Sequence, residues 1–448
     1  MPIRLACLFI AGTVVGCLIN WAVYAMGWEM RPYSPWSSPH PKAQPRHWTD
    51  RLPMVGWWGL RRDAALHGSG YWVRPLLVEL SAGLLFAGLY WWEVDQRALL
   101  SPAFADLQLG VDVQAALHAT FAAHLLLVAL MLTASLIDAD EWIIPDAITV
   151  PGTIVGLLLV TWLPFALLPD SYTAFVPPRF PLIDDHAITV PGPQGVLALD
   201  MVHVASSTSL WPSELGGWPQ RGSLLIALAC YLGWCFAILP RPWRMRHGVG
   251  RALALCIARM RRERATYGIA VIGSLAISGV WLSGGIHWIG LLTALVGMAA
   301  SGGLIWAVRL IGSWVLGREA MGFGDVTLMA MIGVFLGWQA CIMIFFLAPF
   351  AGLAIGLIKW IFQRGDEIPY GPYLCLATLF TIVQWQPIWE WASGHGQPLP
   401  GVFALGWLVP AAVGVCLVLM AGMLGLIKAF RPLLIAGISR LMRAFRRS

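Results

Sequence analysis

Two acidic clusters sit where apolar runs meet polar loops. Leu136-Ile137-Asp138-Ala139-Asp140-Glu141-Trp142-Ile143-Ile144-Pro145-Asp146 closes one run, and Met321-Gly322-Phe323-Gly324-Asp325-Val326-Thr327 opens another. Ionisable side chains at or near membrane depth are costly, which makes them functional candidates. Two carboxylates sharing one site cannot both ionise cheaply, so one holds a proton while the other acts as a base. That division suits peptide hydrolysis: the base activates water, and the acid protonates the carbonyl oxygen and then the leaving nitrogen. Gly322 and Gly324 leave the backbone free to come close to a partner helix or an extended substrate. Taken singly, each acid also has a plain structural reading. Asp325 fits a helix N-cap, and Asp138, Asp140 and Asp146 fit solvated charges beside a turn ended by Pro145.

Whether Asp138 and Asp325 can meet depends on the elements that carry them, 187 positions apart. Of the 448 residues 58% are hydrophobic and only 12% charged, with a mean hydropathy of +0.71. Soluble domains carry about twice that charged fraction. Apolar runs of bilayer-crossing length recur from end to end, so the fold class is all-α and polytopic, with about eleven transmembrane helices. They are expected near 5–26, 76–94, 115–137, 147–169, 222–240, 267–284, 287–308, 325–338, 340–361, 372–388 and 401–427. The eighth is short enough for a re-entrant or half helix. The run from Leu5 to Met26 is too long for a signal peptide and lacks a small-residue cleavage site, so it reads as an uncleaved span.

Loop charge orients these spans. Loop 27–75 holds Arg31, Lys42, Arg46, Arg51, Arg61, Arg62 and Arg74 against three acids, and loop 241–266 holds eight arginines. Lys359, Arg364 and the tail from Lys428 to Arg447 add to the same side, which is the cytoplasmic one. An outward N-terminus with eleven spans satisfies all of these, and places Asp138 and Asp325 together at the inner leaflet. The net charge of +6 therefore reports topology, and nucleic acid is excluded as a partner. The eight cysteines form no CxxC pair and read as buried small hydrophobes.

The chain divides into 1–95 (first span, cytoplasmic loop, second span), 115–169 (the Asp138 helix pair) and 170–221 (an outer insertion). Then follow 222–312 (additional spans with the basic loop), 313–388 (the Gly-x-Gly-Asp core) and 389–448 (last span and basic tail). The Pro, Gly and Ser content of 170–221, with Asp184 and Asp185, favours loops with little packed core. Gly152-x3-Gly156 and Gly352-x3-Gly356 allow close helix approach. His118 and His124, six apart, read as bland. Trp57, Trp58, Trp91, Trp92, Trp385 and Trp389 fit an aromatic belt, and residues 430–448 fit an amphipathic surface helix. Glu79, near the inner end of its span, fits either an ion pair with Arg74 or a role in recognition.

Together the motifs resemble the prepilin peptidases, the bifunctional leader peptidase and N-methyltransferase enzymes of type IV pilus and type II secretion systems. The resemblance rests on Asp138-x6-Pro145-Asp146, on Gly322-Phe323-Gly324-Asp325, and on four further segments in the family's order. These are Gly16-Cys17-Leu18-Ile19-Asn20, Asp50-Arg51-Leu52-Pro53-Met54-Val55-Gly56-Trp57 with Leu60-Arg61, Arg74-Pro75-Leu76-Leu77-Val78-Glu79, and Ile368-Pro369-Tyr370-Gly371-Pro372. It implies Asp138 and Asp325 as catalytic aspartates, supported by Gly322, Gly324, Asp140, Pro145 and Asp146. It implies prepilin or pseudopilin precursors as partners within the lipid bilayer, cleaved on the cytoplasmic face of a bacterial inner membrane. It also implies S-adenosylmethionine as methyl donor, with Arg51, Pro53, Arg61, Arg74 and Glu79 in the substrate or methylation region. Many members carry two CxxC pairs in the first cytoplasmic loop; loop 27–75 has no cysteine, which argues against zinc. Members also place the two aspartates closer in sequence. A different class, a proton- or cation-coupled transporter using the same acids, would more naturally place them at the midplane. A presenilin-type protease would need Tyr-Asp, whereas Ile137 precedes Asp138.

Overall fold

The computed structural model describes residues 1–27, 34–105, 107–174, 187–192, 195–204, 206, 221–239, 264–362, 369–393, 402–423 and 425–426. Asp184, Asp185, most of the basic loop 241–266 and the expected surface helix 430–448 lie outside them. Six described helices are long and apolar enough to cross a membrane, and four shorter apolar ones accompany them. The long ones lie in α1 (Pro2–Met26), α4 (Val73–Tyr90), α5 (Val111–Glu141), α8 (Arg264–Ser283), α9 (Gly285–Leu316) and α10 (Phe323–Phe362). The shorter are α6 (Asp146–Trp162), α7 (Arg221–Ala237), α11 (Gly371–Val383) and α13 (Leu408–Met423). Two short helices, α2 (Val55–Leu60) and α3 (Ala64–His67), lie between the first two spans, and α12 (Trp385–Ser393) follows α11. The protein is an all-α polytopic membrane protein.

The expected eighth and ninth spans form the single helix α10, broken at Gly337, whose φ of 78° is a conformation natural to glycine. The break falls at the end of the first of the two apolar runs anticipated at 325–338 and 340–361, two residues short of the boundary between them. The first half of α10 is the most enclosed element, with Leu328, Met329, Met331, Ile332, Val334, Phe335 and Leu336 all at 0% exposure. α6 closes on it through the glycine pair: a Cβ on Gly152 would come within 2.5 Å of Met331 Sδ, and one on Gly156 within 2.8 Å of the Phe335 ring.

Part of the outer insertion is a sheet. Strands β1 (Pro169–Ala174), β2 (Ile188–Gly192) and β3 (Gly195–Met201) pair antiparallel in the order β1-β3-β2. The Pro and Gly that favour loops sit at strand ends and at the edge. Leu197 and Leu199 of the central strand bury against Val113 and Leu117 at the start of α5 and against Leu100 and Phe104 in the segment before it. Trp385 and Trp389 do not join an aromatic belt. Their indole N–H groups donate to the Pro169 carbonyl and to Asp170 Oδ1, each at 2.8 Å, and both rings are buried.

Candidate active site

Asp138 lies in the last turn of α5. The helix stops because Trp142 adopts a left-handed conformation (φ 59°) while its N–H donates to the Asp138 carbonyl. The chain then runs extended to Pro145, which caps α6, and Asp146 occupies that helix's first turn, where it is exposed. The Asp138 side chain is 4% exposed. Its Oδ2 accepts the backbone N–H of Gly371, the first residue of α11, at 3.1 Å.

Asp325 stands in the first turn of α10, 7% exposed, with its Oδ2 turned back beside Gly322 just ahead of the helix. The start of the helix is where the capping reading put Asp325. It is compatible with chemistry, because the same carboxyl lies close enough to Asp138 to interact with its charge. Gly324 makes the approach possible. A Cβ there would fall 2.8 Å from Ile144 Cβ and 3.2 Å from the Ile144 backbone, so the turn after α5 seats directly on the start of α10. The Cys375 thiol, one turn into α11, lies in the field of both carboxyls. Burial, with the Asp325 charge adding to it, pushes the Tyr370 phenol up to about 12, so it remains a hydrogen-bond donor at neutral pH. Helices α5, α10 and α11 therefore deliver two buried carboxyls, a backbone donor and a phenol to one place.

Asp140, two residues on, meets Arg74 at 2.6 Å, and Arg74 also reaches the Leu136 carbonyl at 3.4 Å. The alternative of an ion pair between Arg74 and Glu79 is overturned, because Arg74 leans across to α5 while Glu79 points inward.

Glu79 is wholly buried and gathers donors from three segments. Asn20 Nδ2 donates at 3.1 Å and Trp57 Nε1 at 2.9 Å, and the Met54 N–H also donates to it. Met54, at a φ of 60° rare for a side-chain-bearing residue, is held there by that bond. Cys17 Sγ reaches the Arg51 carbonyl at 3.8 Å. Trp57 is 1% exposed, a core residue of this docked loop and not a belt residue. Pro53 is half-buried beside this knot, while Arg51 and Arg61 expose their side chains; the Arg61 guanidinium lies 4.5 Å over the Trp58 ring.

Sequence reasoning missed one polar pair. His124 Nδ1 and Glu93 Oε1 are 2.8 Å apart, both at 0% exposure, joining α5 to the π-helical turn Trp91–Asp95 that extends α4. The usable signal was two ionisable residues inside apolar spans, not the spacing between histidines.

Residues 262–357 match the type IV leader peptidase family. The matched stretch carries Gly322-Phe323-Gly324-Asp325, and the resemblance drawn from the motifs is shown. Asp138 lies outside it. Three prepilin leader peptidase/N-methyltransferases are similar: that of Stutzerimonas stutzeri at 34% identity over 111 residues, that of Aeromonas hydrophila at 35% over 101, and that of Pseudomonas aeruginosa at 35% over 104. The matches cover 23%, 22% and 20% of this chain and 38%, 33% and 36% of the relatives, so the chain spans little more than a third of their length. No solved structure matches.

Proposed function

We propose that the protein is an aspartyl endopeptidase that removes the leader from prepilin-like precursors at the cytoplasmic face of a bacterial inner membrane. The observation that carries this reading is the meeting of Asp138 and Asp325 in one buried site. The ionised member of the pair takes a proton from water as the water oxygen attacks the scissile carbonyl carbon. The protonated member donates to the carbonyl oxygen. Collapse of the tetrahedral intermediate breaks the C–N bond, and the nitrogen leaves with a proton returned by the pair. The Gly371 N–H orients Asp138. The arginine excess of loop 27–75 and loop 241–266 supports the cytoplasmic assignment.

Methylation of the new N-terminus is the second activity proposed, with S-adenosylmethionine supplying the methyl group. The exposed guanidiniums of Arg51 and Arg61 and the exposed Trp58 indole fit its carboxylate and its purine. The test is co-expression with a prepilin, read by mass spectrometry for leader loss and the added methyl. Asp138→Asn and Asp325→Asn, each present in the membrane at the parent level, should abolish cleavage. Retained cleavage in either one overturns the proposal.

A further inference from the structure

The segment between the first two spans holds its shape without cysteine, the chain's cysteines nearest to it being Cys17 and Cys230. A structural zinc site needs three or four converging ligands. Among the described residues no three His, Cys, Asp or Glu side chains converge. His40 and His67 do approach, but edge to face, with ring centroids 6.4 Å apart. Asp63, the carboxylate whose charge reaches His67, is engaged by Arg46. The residues present do not fit zinc.

Two guanidinium–carboxylate pairs stand there instead. Arg46 Nη1 meets Asp63 Oδ2 at 2.9 Å, with the side chains only 8% and 3% exposed. Arg62 forks Asp50, Nη1 to Oδ1 at 2.9 Å and Nη2 to Oδ2 at 2.6 Å, and Asp50 is 2% exposed. Asp50 Oδ2 also accepts the His47 N–H at 2.8 Å. The bridges are nested, with Arg46 and Asp50 on the incoming chain and Asp63 and Arg62 on the outgoing one, so their charges run in opposite directions. The two-pronged Arg62–Asp50 pair fixes orientation as well as distance. Gly56 lets the turn close, since a Cβ there would overlap the Asp50 backbone.

We infer that these nested ion bridges are the cross-link that closes residues 46–63, so the fold of this segment is independent of any metal. The inference does not rest on the proposed enzymatic activity and is tested without it. Full-length protein in lipid nanodiscs is exposed to chymotrypsin, and cuts within 46–72 are followed by mass spectrometry. A chelator should leave the cutting rate within about twofold of the untreated protein. Asp63→Asn, which strands the buried Arg46 guanidinium, should raise it by about tenfold or more, and Asp50→Asn, which takes the fork from the partly exposed Arg62, severalfold. Arg46→Asp combined with Asp63→Arg should restore most of the protection. Should the Asn variants not accumulate, Arg62→Lys, which keeps the charge and loses the fork, should still open the segment severalfold. Opening by the chelator, stoichiometric zinc in the purified protein, unchanged protection in the variants, or a reversed pair that stays open would each overturn the inference.

Discussion

Gly371 donates its backbone N–H to Asp138 Oδ2 across 233 positions of chain. That bond ties the Ile-Pro-Tyr-Gly-Pro turn to the acid at the end of α5. The contact leaves no room for a side chain: a Cβ on Gly371 would lie 2.5 Å from that same oxygen and 3.1 Å from Ile144 Cδ1. Gly371→Ala must therefore displace the carboxyl, and a displacement of about 1 Å at a reacting group costs up to about a hundredfold in rate. Precursor cleavage is expected to fall by about tenfold to a hundredfold with membrane levels unchanged. A fully active Gly371→Ala would mean that Asp138 does not need this donor.

Much of this arrangement was legible because membranes impose length and depth. Apolar runs of span length announced the helices, and loop arginines placed Asp138 and Asp325 at one level before any geometry was known. Gly152 and Gly156 announced a close approach, and Met331 and Phe335 fill it. Rotation about a helix axis was not legible, and it decides partners. Arg74 could serve either Glu79 on its own helix or Asp140 on α5, and only the packing of α4 beside α5 selects Asp140. The Glu93–His124 pair was hidden for the same reason. The outer strands were obscured by Pro and Gly at their ends, while their burial comes from α5, a distant partner in sequence.

Glu79 is the acceptor that docks the loop onto α1 and α4. Glu79→Ala strands the Trp57 indole and the Met54 N–H and takes from the Asn20 amide one of its two acceptors, the other being the Pro75 carbonyl at 2.9 Å. Stranded buried donors cost about 1–3 kcal/mol each, so a clear drop in the thermal midpoint of the detergent-solubilised protein is expected. Glu79→Gln, which retains one acceptor oxygen, should lose less. Equal midpoints for parent and Ala variant would show that the loop is docked by other contacts.

Arg74 and Asp140 provide a contrast. Their pair is as short as any among the described residues but 43% exposed on the arginine side, and solvent-exposed pairs contribute about 0–1 kcal/mol. Arg74→Ala should leave the thermal midpoint within about a degree or two and processing within about threefold. A loss matching that of an aspartate variant would assign Arg74 a direct part in the reaction.

The inner of the two nested bridges, Arg62–Asp50, also sets an acid limit for the loop. Burial alone would push the Asp50 carboxyl up. The Arg62 fork, the His47 N–H and the charges of Arg62 and Arg46 outweigh it and hold the carboxyl below its usual range. A carboxyl lowered in the folded state stabilises at every pH above its unfolded value, about 3.9. That contribution is lost as pH falls through the lower folded value. Hydrogen exchange over residues 46–63 should therefore stay slow and flat from neutral pH down to about 4, after correction for the intrinsic rate, and quicken only below it. Arg62→Gln removes the fork and should move the onset of opening to higher pH. A loop that opens near pH 6 in the parent protein, where Asp50 is still ionised, would locate the acid-sensitive group elsewhere.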